Sequence, residues 1–289
     1  MEKLSTTSEI SDGYGRNIEQ LREHYDLEKI LASRLLHSTK EERQYLYSAL
    51  YDELFSKIHF HPQLSVKADP VAIAWIVEQR MQLIESFLTP DVIFLEIGPG
   101  DCSLSQEIAK HVKQVYALDV SNEITKNLLL PDNFALIISD GCSVPLPDNT
   151  VDVAYSHQLM EHLHPDDAVE QLQAICRALV PGGSYICITP NKLSGPHDVS
   201  QYFDEVATGF HLKEYLLSEL YHLFRAAGFS QVVFYKSYKK TNLKLSLNGI
   251  TMWLFVAIES LLTALPFPLR RKIAGLPMLF RGMTVVGIK

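Results

Sequence analysis

The stretch with the most chemical potential is Val92-Ile93-Phe94-Leu95-Glu96-Ile97-Gly98-Pro99-Gly100-Asp101-Cys102-Ser103. An apolar run that ends in two glycines and then enters a helix-forming segment reads as a buried strand turning into a helix, where bare backbone lets a nucleotide-like ligand approach closely. A second apolar run ends at Asp119, where a carboxylate can accept both hydroxyls of a ribose. A third ends at Ser139-Asp140-Gly141-Cys142, adding a carboxylate and a permissive backbone at the same edge. Glu96, Asp101, Asp119 and Asp140 therefore converge, and the glycine turn carries no lysine or arginine. A dinucleotide would bring an anionic pyrophosphate into that field, so a cationic nucleoside fits better.

Histidines supply the second set of candidates. A fourth apolar run ends at Ser156-His157-Gln158, and Glu161-His162 follows at once, with His211 further along. A histidine at this edge could take a proton from an attacking hydroxyl or amine, so His157, His162 and His211 are the candidate catalytic residues. His157 could equally form part of the ligand wall, and Glu161-His162 could cap a helix and line the core. His59 and His61 flank Phe60 before a proline and read as solvated loop residues. Tyr45, Tyr47 and Tyr51 read as packing. Tyr14, between Gly13 and Gly15, reads either as a hinged lid or as a loose terminus.

These residues need a scaffold, and the pattern around them supplies one. Short apolar runs at about 91–97, 115–120, 134–139, 150–156 and 184–189 alternate with helical stretches at about 103–112, 122–130 and 166–179, the signature of βαβ units and a parallel sheet. Leu179-Val180-Pro181-Gly182-Gly183 stops the last of those helices and redirects the chain. A helix over 212–227 ends at Gly228, a strand follows around 232–235, and 283–288 forms one more.

Residues 1–90 read as a helical cap. One helix runs from about Arg16 to Leu36. A second opens on the capping signal Thr39-x-x-Glu42, with Tyr45, Leu46, Leu50 and Leu54 on one stripe. A third opens on Asp69-Pro70, and Ile73, Ile76, Val77, Leu83, Ile84 and Leu88 point it at a core.

Composition bounds the class of partner. The chain has 289 residues, 47% hydrophobic and 21% charged, which excludes disorder and small disulfide scaffolds. Its 26 basic and 34 acidic side chains give a formal charge of −8, which disfavours nucleic acid and favours a small or neutral partner. Cys102, Cys142, Cys176 and Cys187 form no C-x-x-C pair, and the polar start MEKLSTTSEI lacks an export signal, so a cytoplasmic location is expected.

The order Glu96-x-Gly98-x-Gly100, Asp119, Ser139-Asp140-Gly141, Val151-Asp152-Val153-Ala154-Tyr155-Ser156, Glu161-His162-Leu163 and Leu179-Val180-Pro181-Gly182-Gly183 resembles the class I S-adenosylmethionine-dependent methyltransferases, over roughly 90–240 plus the final strand. The resemblance implies an α/β, Rossmann-like, seven-stranded and mostly parallel sheet with an antiparallel last strand. It also implies S-adenosyl-L-methionine held by Glu96, Gly98, Gly100, Asp119, Val120, Asp140, Gly141, Cys142 and His157. Within that set Asp119 would meet the ribose, Asp140 the adenine amino group and the Cys142 backbone the adenine ring. Residues 91–289 would form the methyltransferase domain, with a helical insertion at about 242–278.

Glu161-His162 further resembles the end of a Glu-x-x-Glu-His metal motif of ubiquinone-type and small-RNA O-methyltransferases, with His211 as a distant ligand. Here the first glutamate is Gln158, a poor ligand for a hard cation, so no metal is expected.

The expected reaction is methyl transfer to oxygen or nitrogen of a small-molecule acceptor shaped by the cap. The alternatives are a non-catalytic cofactor-binding protein and an enzyme for a lipid-like acceptor. The apolar segment 250–265 would span about 24 Å as a helix, short of a ~30 Å hydrocarbon core, and it lies between two strands of one sheet. No transmembrane span is expected. The segment is expected to cover the acceptor pocket, failing that to form a homodimer interface, as the cap could too, or to lie in a membrane interface beside Arg270, Arg271 and Lys272.

Overall fold

The structure, a computed structural model, describes residues 12–67, 69–121, 129–238 and 241–289. The helix expected over 122–130 falls largely outside them.

Among the described residues four helices come first: α1 (Ile18–Leu36), α2 (Lys40–Lys57), α3 (Pro62–Lys67) and α4 (Pro70–Ile84). Their starts are those the cap chemistry specifies. Asn17 and Gln20 form a capping box on α1, Thr39 and Glu42 form one on α2, and Asp69 accepts from the amides of Val71 and Ala72 ahead of Pro70. The alternating part follows as β1 (Ile93–Ile97), α5 (Ser103–Ile108), β2 (Gln114–Asp119), β3 (Phe134–Ile138), β4 (Val151–His157), α6 (Pro165–Ala178) and β5 (Leu179–Thr189). The chain closes with α7 (Leu217–Ala227), β6 (Gln231–Tyr238), β7 (Thr241–Leu247), α8 (Gly249–Thr263), α9 (Phe267–Ala274) and β8 (Met283–Ile288).

Among the described residues the strands form one eight-stranded sheet in the order β3-β2-β1-β4-β5-β8-β6-β7. β1 pairs in parallel with β2 and β4, while β8 runs antiparallel to β5 and β6. The Rossmann-like α/β class is thus as the sequence indicates, with one strand more than expected. The extra strand is β7, an antiparallel edge partner of β6 over Val232–Tyr238. The segment from 242 was expected to be helical, yet Leu243 and Leu245 alternate with Lys244 and Ser246, which is the period of a strand. The helical part of the insertion begins only at Gly249. Two further boundaries move: α7 starts at Leu217 rather than 212, and the Leu179–Gly183 turn is the bent start of β5.

The sheet separates two cores. One joins Leu31, Leu50 and Leu54 of the cap to Leu95, Ala154 and Tyr185 of the sheet and to α6 and α7. The other packs Phe94, Val115 and Tyr155 against α5 and Ile84. The cap is thereby built onto the sheet. A buried polar tie accompanies that core. Arg43 on α2 donates twice to the Asp167 carboxylate at the start of α6, both at 2.7 Å, and the Tyr47 hydroxyl donates to the same group at 2.7 Å. Tyr47 Oη in turn accepts from the His164 amide. Burial alone would raise the Asp167 pKa, but the Arg43 and Tyr47 hydrogen bonds outweigh it and hold the carboxyl below its usual range.

α4 does not point at a core as a whole. Only Ile84 is fully buried, Trp75 is 62% exposed, and Ile73, Ile76 and Val77 line a cavity.

Candidate active site

Register places the candidate residues. Ile97 at the end of β1 lies opposite Leu118 on β2 and Ser156 on β4, so the next step along each strand brings Gly98, Asp119 and His157 to one edge. This is where the strand order reverses, the point at which open α/β sheets bind ligands. The turn needs its glycines. Gly98 and Gly100 have φ of +68° and +59°, and a Cβ on Gly98 would stand 3.1 Å from the Leu159 side chain. Gly100 has open space where a Cβ would be. Gln158 also sits at φ +53°, an unusual conformation for a side-chain-bearing residue and one often met at binding loops.

A cavity of about 640 Å3 opens over this edge. Its sheet side includes Gly98, Gly100, Asp101, Asp119, Val120, Gly141, His157 and His162. Its cap side includes Tyr47, Tyr51, Phe55, Ile73, Ile76, Val77 and Arg80, with Tyr14 at 60% exposure also on the wall. Volume and lining suit a small-molecule site, apolar with a few placed polar groups.

Asp119 accepts from the amides of Val120 at 2.7 Å and Ser121 at 3.3 Å, which fixes its carboxylate at the cavity wall. Glu96, Asp140 and Cys142 do not line the cavity. The Glu96 carboxylate lies under the turn, accepting from the Ser105 hydroxyl of α5, and burial raises its pKa to about 7. Asp140 turns back on its own loop, where it accepts from the amides of Cys142 at 2.9 Å and Ser143 at 2.7 Å. The amide expected to meet a base is therefore donated to Asp140 here. The loop is pressed by the cap, since a Cβ at Gly141 would meet Tyr47 at 3.0 Å, while Gln171 Nε2 donates to the Gly141 carbonyl.

The three histidines part company. His157 lies on the cavity wall and its Nδ1 faces Arg80 Nη2 at 3.3 Å. Arg donates only, so Nδ1 is the acceptor and Nε2 carries the proton. Burial and the Arg80 charge lower its pKa to about 3. His162 is also on the wall, and its Nδ1 donates to the Phe210 carbonyl at 2.9 Å, leaving Nε2 as a lone-pair acceptor. Burial, then the nearby His211, lowers its pKa to about 3, so the ring is neutral. His211 does not reach the cavity lining. It pairs with Glu214 at 2.9 Å, and although burial opposes the charge, Glu214, Glu161 and Asp198 raise its pKa to about 9.

Glu161, His162 and His211 hold ligand-capable atoms within 4.8 Å of one another, as do His24, Glu28 and His61 in the cap. In the first group the imidazolium of His211 already supplies a positive charge to the carboxylates. In the second, both nitrogens of His24 are engaged, Nδ1 with Arg16 at 2.7 Å and Nε2 with Glu28 at 2.8 Å, which leaves no lone pair for an ion. His61 is buried against His24 and Phe55 rather than solvated, and His59 alone is exposed.

In the sequence Arg80 and Phe55 do not stand out and Tyr47 and Tyr51 suggest packing, whereas all four line the cavity. Ile73, Ile76, Val77 and Arg80 follow an i, i+3, i+4, i+7 stripe, so a cation on an otherwise apolar stripe was the available signal. Tyr47, Tyr51 and Phe55 share one face at i, i+4, i+8, whereas Tyr45, two residues from Tyr47, faces outward at 77% exposure.

This strand order and glycine-turn edge define the Rossmann-like α/β fold of the methyltransferases. The family model described as a methyltransferase domain matches residues 95–187. A Mycolicibacterium smegmatis protein, named as a candidate S-adenosylmethionine-dependent methyltransferase, is 36% identical over 137 residues, 47% of this chain and 51% of that protein. The chain thus spans about half the length of the curated relative it matches. A solved structure of a candidate O-methyltransferase from Nostoc punctiforme superposes with a TM-score of 0.50 at 15% identity, over 75% of this chain and 56% of that one. A solved SAM-dependent methyltransferase from Archaeoglobus fulgidus gives 0.49 at 16%, over 74% and 93%. Over residues 95–187, then, this chain is similar to the methyltransferase domains, and its similarity to S-adenosylmethionine-dependent methyltransferases extends over about half of its length.

Proposed function

We propose that the chain binds S-adenosylmethionine and methylates the oxygen or nitrogen of a small, largely apolar acceptor in a reducing, cytoplasmic compartment. The observation that carries this reading is that one continuous cavity runs from the glycine-turn edge to the aromatic and aliphatic face of the cap. Gly98 and Gly100 leave room for close approach, and Asp119 stands where a ribose would offer its hydroxyls. Val120 and Gly141 flank the base, and the Asp140–Cys142 contact shapes the loop beside it. Arg80 is the cation in the lining nearest Glu96 and His157, suited to the carboxylate at the amino-acid end of the cofactor. Glu96 acts from beneath the turn, through Ser105.

S-adenosylmethionine supplies a methyl group on a sulfonium that is already an activated leaving group. The protein's task is then to align the nucleophile and exclude water. Tyr51, Phe55, Ile73 and Ile76 supply a wall for an apolar acceptor. His162, neutral and with Nε2 unprotonated, is the one of the three histidines on the cavity with a lone pair to receive the acceptor's proton. His157 is wall, its acceptor nitrogen taken by Arg80, and His211 is a positioning residue behind His162. All four cysteines are free and buried, in keeping with a reducing compartment.

Calorimetry on the full chain tests the reading. Asp119→Ala should weaken S-adenosylmethionine binding at least tenfold, since each charge-assisted bond contributes about 1.5–3 kcal/mol. Arg80→Met should weaken S-adenosylmethionine to a similar extent and leave methylthioadenosine, which lacks the carboxylate, unchanged. Absence of binding by the unaltered chain at millimolar cofactor would overturn the assignment. Conversion of the cofactor to its demethylated product in the presence of cell extract separates transfer from binding alone.

A further inference from the structure

α8 is apolar on every side, and only one side has a partner. Met252, Glu259 and Leu262 are buried, Phe255 packs on Phe234 and Phe280, and the Glu259 carboxylate accepts from the Ser218 amide at the start of α7. The opposite stripe is bare. Ile250, Trp253, Leu254 and Leu261, at i, i+3, i+4 and i+11, are 84%, 74%, 53% and 71% exposed. None of the residues 249–263 lines the cavity, so this segment is not the pocket cover that the sequence suggested.

The charges around it are segregated. Residues 241–289 hold six basic side chains and one acidic, whereas residues 1–240 hold 20 and 33. The one acid is Glu259, buried against α7. α8 packs against β7 and against α9, which carries Arg270, Arg271 and the exposed Lys272. An acidic protein thus sets three consecutive basic residues, Arg270, Arg271 and Lys272, on the helix packed beside its barest apolar helix.

We propose that α8 and the flanking basic residues dock the chain peripherally on an anionic lipid bilayer, with the helix lying in the plane of the interface. A crossing is excluded by length, since 15 residues span about 22 Å against a ~30 Å core, and no helix among the described residues is long and apolar enough to cross a membrane. A second copy is disfavoured as the occupant because it would set one basic flank against its own duplicate. Negative headgroups meet both features at once. The inference does not depend on methyl transfer.

Co-sedimentation of the full chain with vesicles tests it. Binding is expected to vesicles of equal parts phosphatidylcholine and phosphatidylglycerol, to weaken with added salt, and to be far weaker on phosphatidylcholine alone. Trp253→Ser with Leu261→Ser should lower partitioning at least tenfold. Lys272→Gln should lower it about fivefold, with the circular dichroism spectrum and S-adenosylmethionine affinity unchanged. The proposal is overturned by failure to sediment with the anionic vesicles, or by equal binding to neutral ones. It is also overturned by a dimer in solution that Trp253→Ser dissociates while vesicle binding is absent.

Discussion

The polar tie between α2 and α6 rests on three side chains, which makes Asp167→Asn an informative perturbation. The Arg43 guanidinium and the Asp167 carboxylate are 7% and 1% exposed at their side chains and meet through two 2.7 Å bonds, with Tyr47 Oη as a third donor. Asparagine keeps the shape but leaves Arg43 as a buried charge without a counter-ion, and such losses cost about 3–5 kcal/mol. Denaturant unfolding should register that loss as a lower midpoint with little change in slope. Because Tyr47 also presses on Gly141, S-adenosylmethionine affinity should fall in parallel. The double variant Arg43→Met, Asp167→Leu should recover most of the stability, since apolar replacement of a whole buried pair is often neutral. The pH dependence has a definite sign. The Asp167 pKa is lowered in the folded chain, so its contribution is present above the unfolded carboxyl pKa and is lost as pH falls through the folded value. The wild type should therefore lose stability on acidification more steeply than the double variant. A change below about 1 kcal/mol in Asp167→Asn would refute the reasoning, because exposed pairs behave that way.

Three other outcomes follow from the histidines. His162→Ala should lower turnover about 10²–10⁴-fold with cofactor affinity retained, and His157→Ala should act mainly on cofactor affinity, as single-turnover rates and calorimetry will show. Near-normal turnover in His162→Ala would mean that alignment alone suffices. His211 has its pKa raised to about 9 with Glu214 lowered to about 2, so its stabilising effect is complete below the unfolded histidine pKa and is lost as pH rises through about 9. His211→Gln should be less stable at neutral pH, and it should flatten the alkaline limb of a thermal melt measured against pH.

The primary sequence determined those features whose physical cause is local. Two glycines at positive φ, carboxylates at strand ends, capping boxes at Asn17 and Thr39 and the alternation of apolar runs are written in nearest-neighbour preferences, and the sheet class follows from them. Chain proximity could not decide which side chains share a cavity. Arg80 and His157 are far apart in the sequence and meet at 3.3 Å because α4 lies across the edge where β1 and β4 end. Nor could it decide protonation. His157, His162 and His211 are one residue type, yet two are held neutral by burial beside a positive charge and one is charged by three carboxylates, and only packing assigns those neighbours. Asp140 has the position expected of a ligand contact, but its loop folds the amides of Cys142 and Ser143 onto it. The apolar segment after Asn248 was legible as a helix, whereas its bare face was not, because periodicity shows that a helix is apolar and only tertiary contacts show which of its sides is covered.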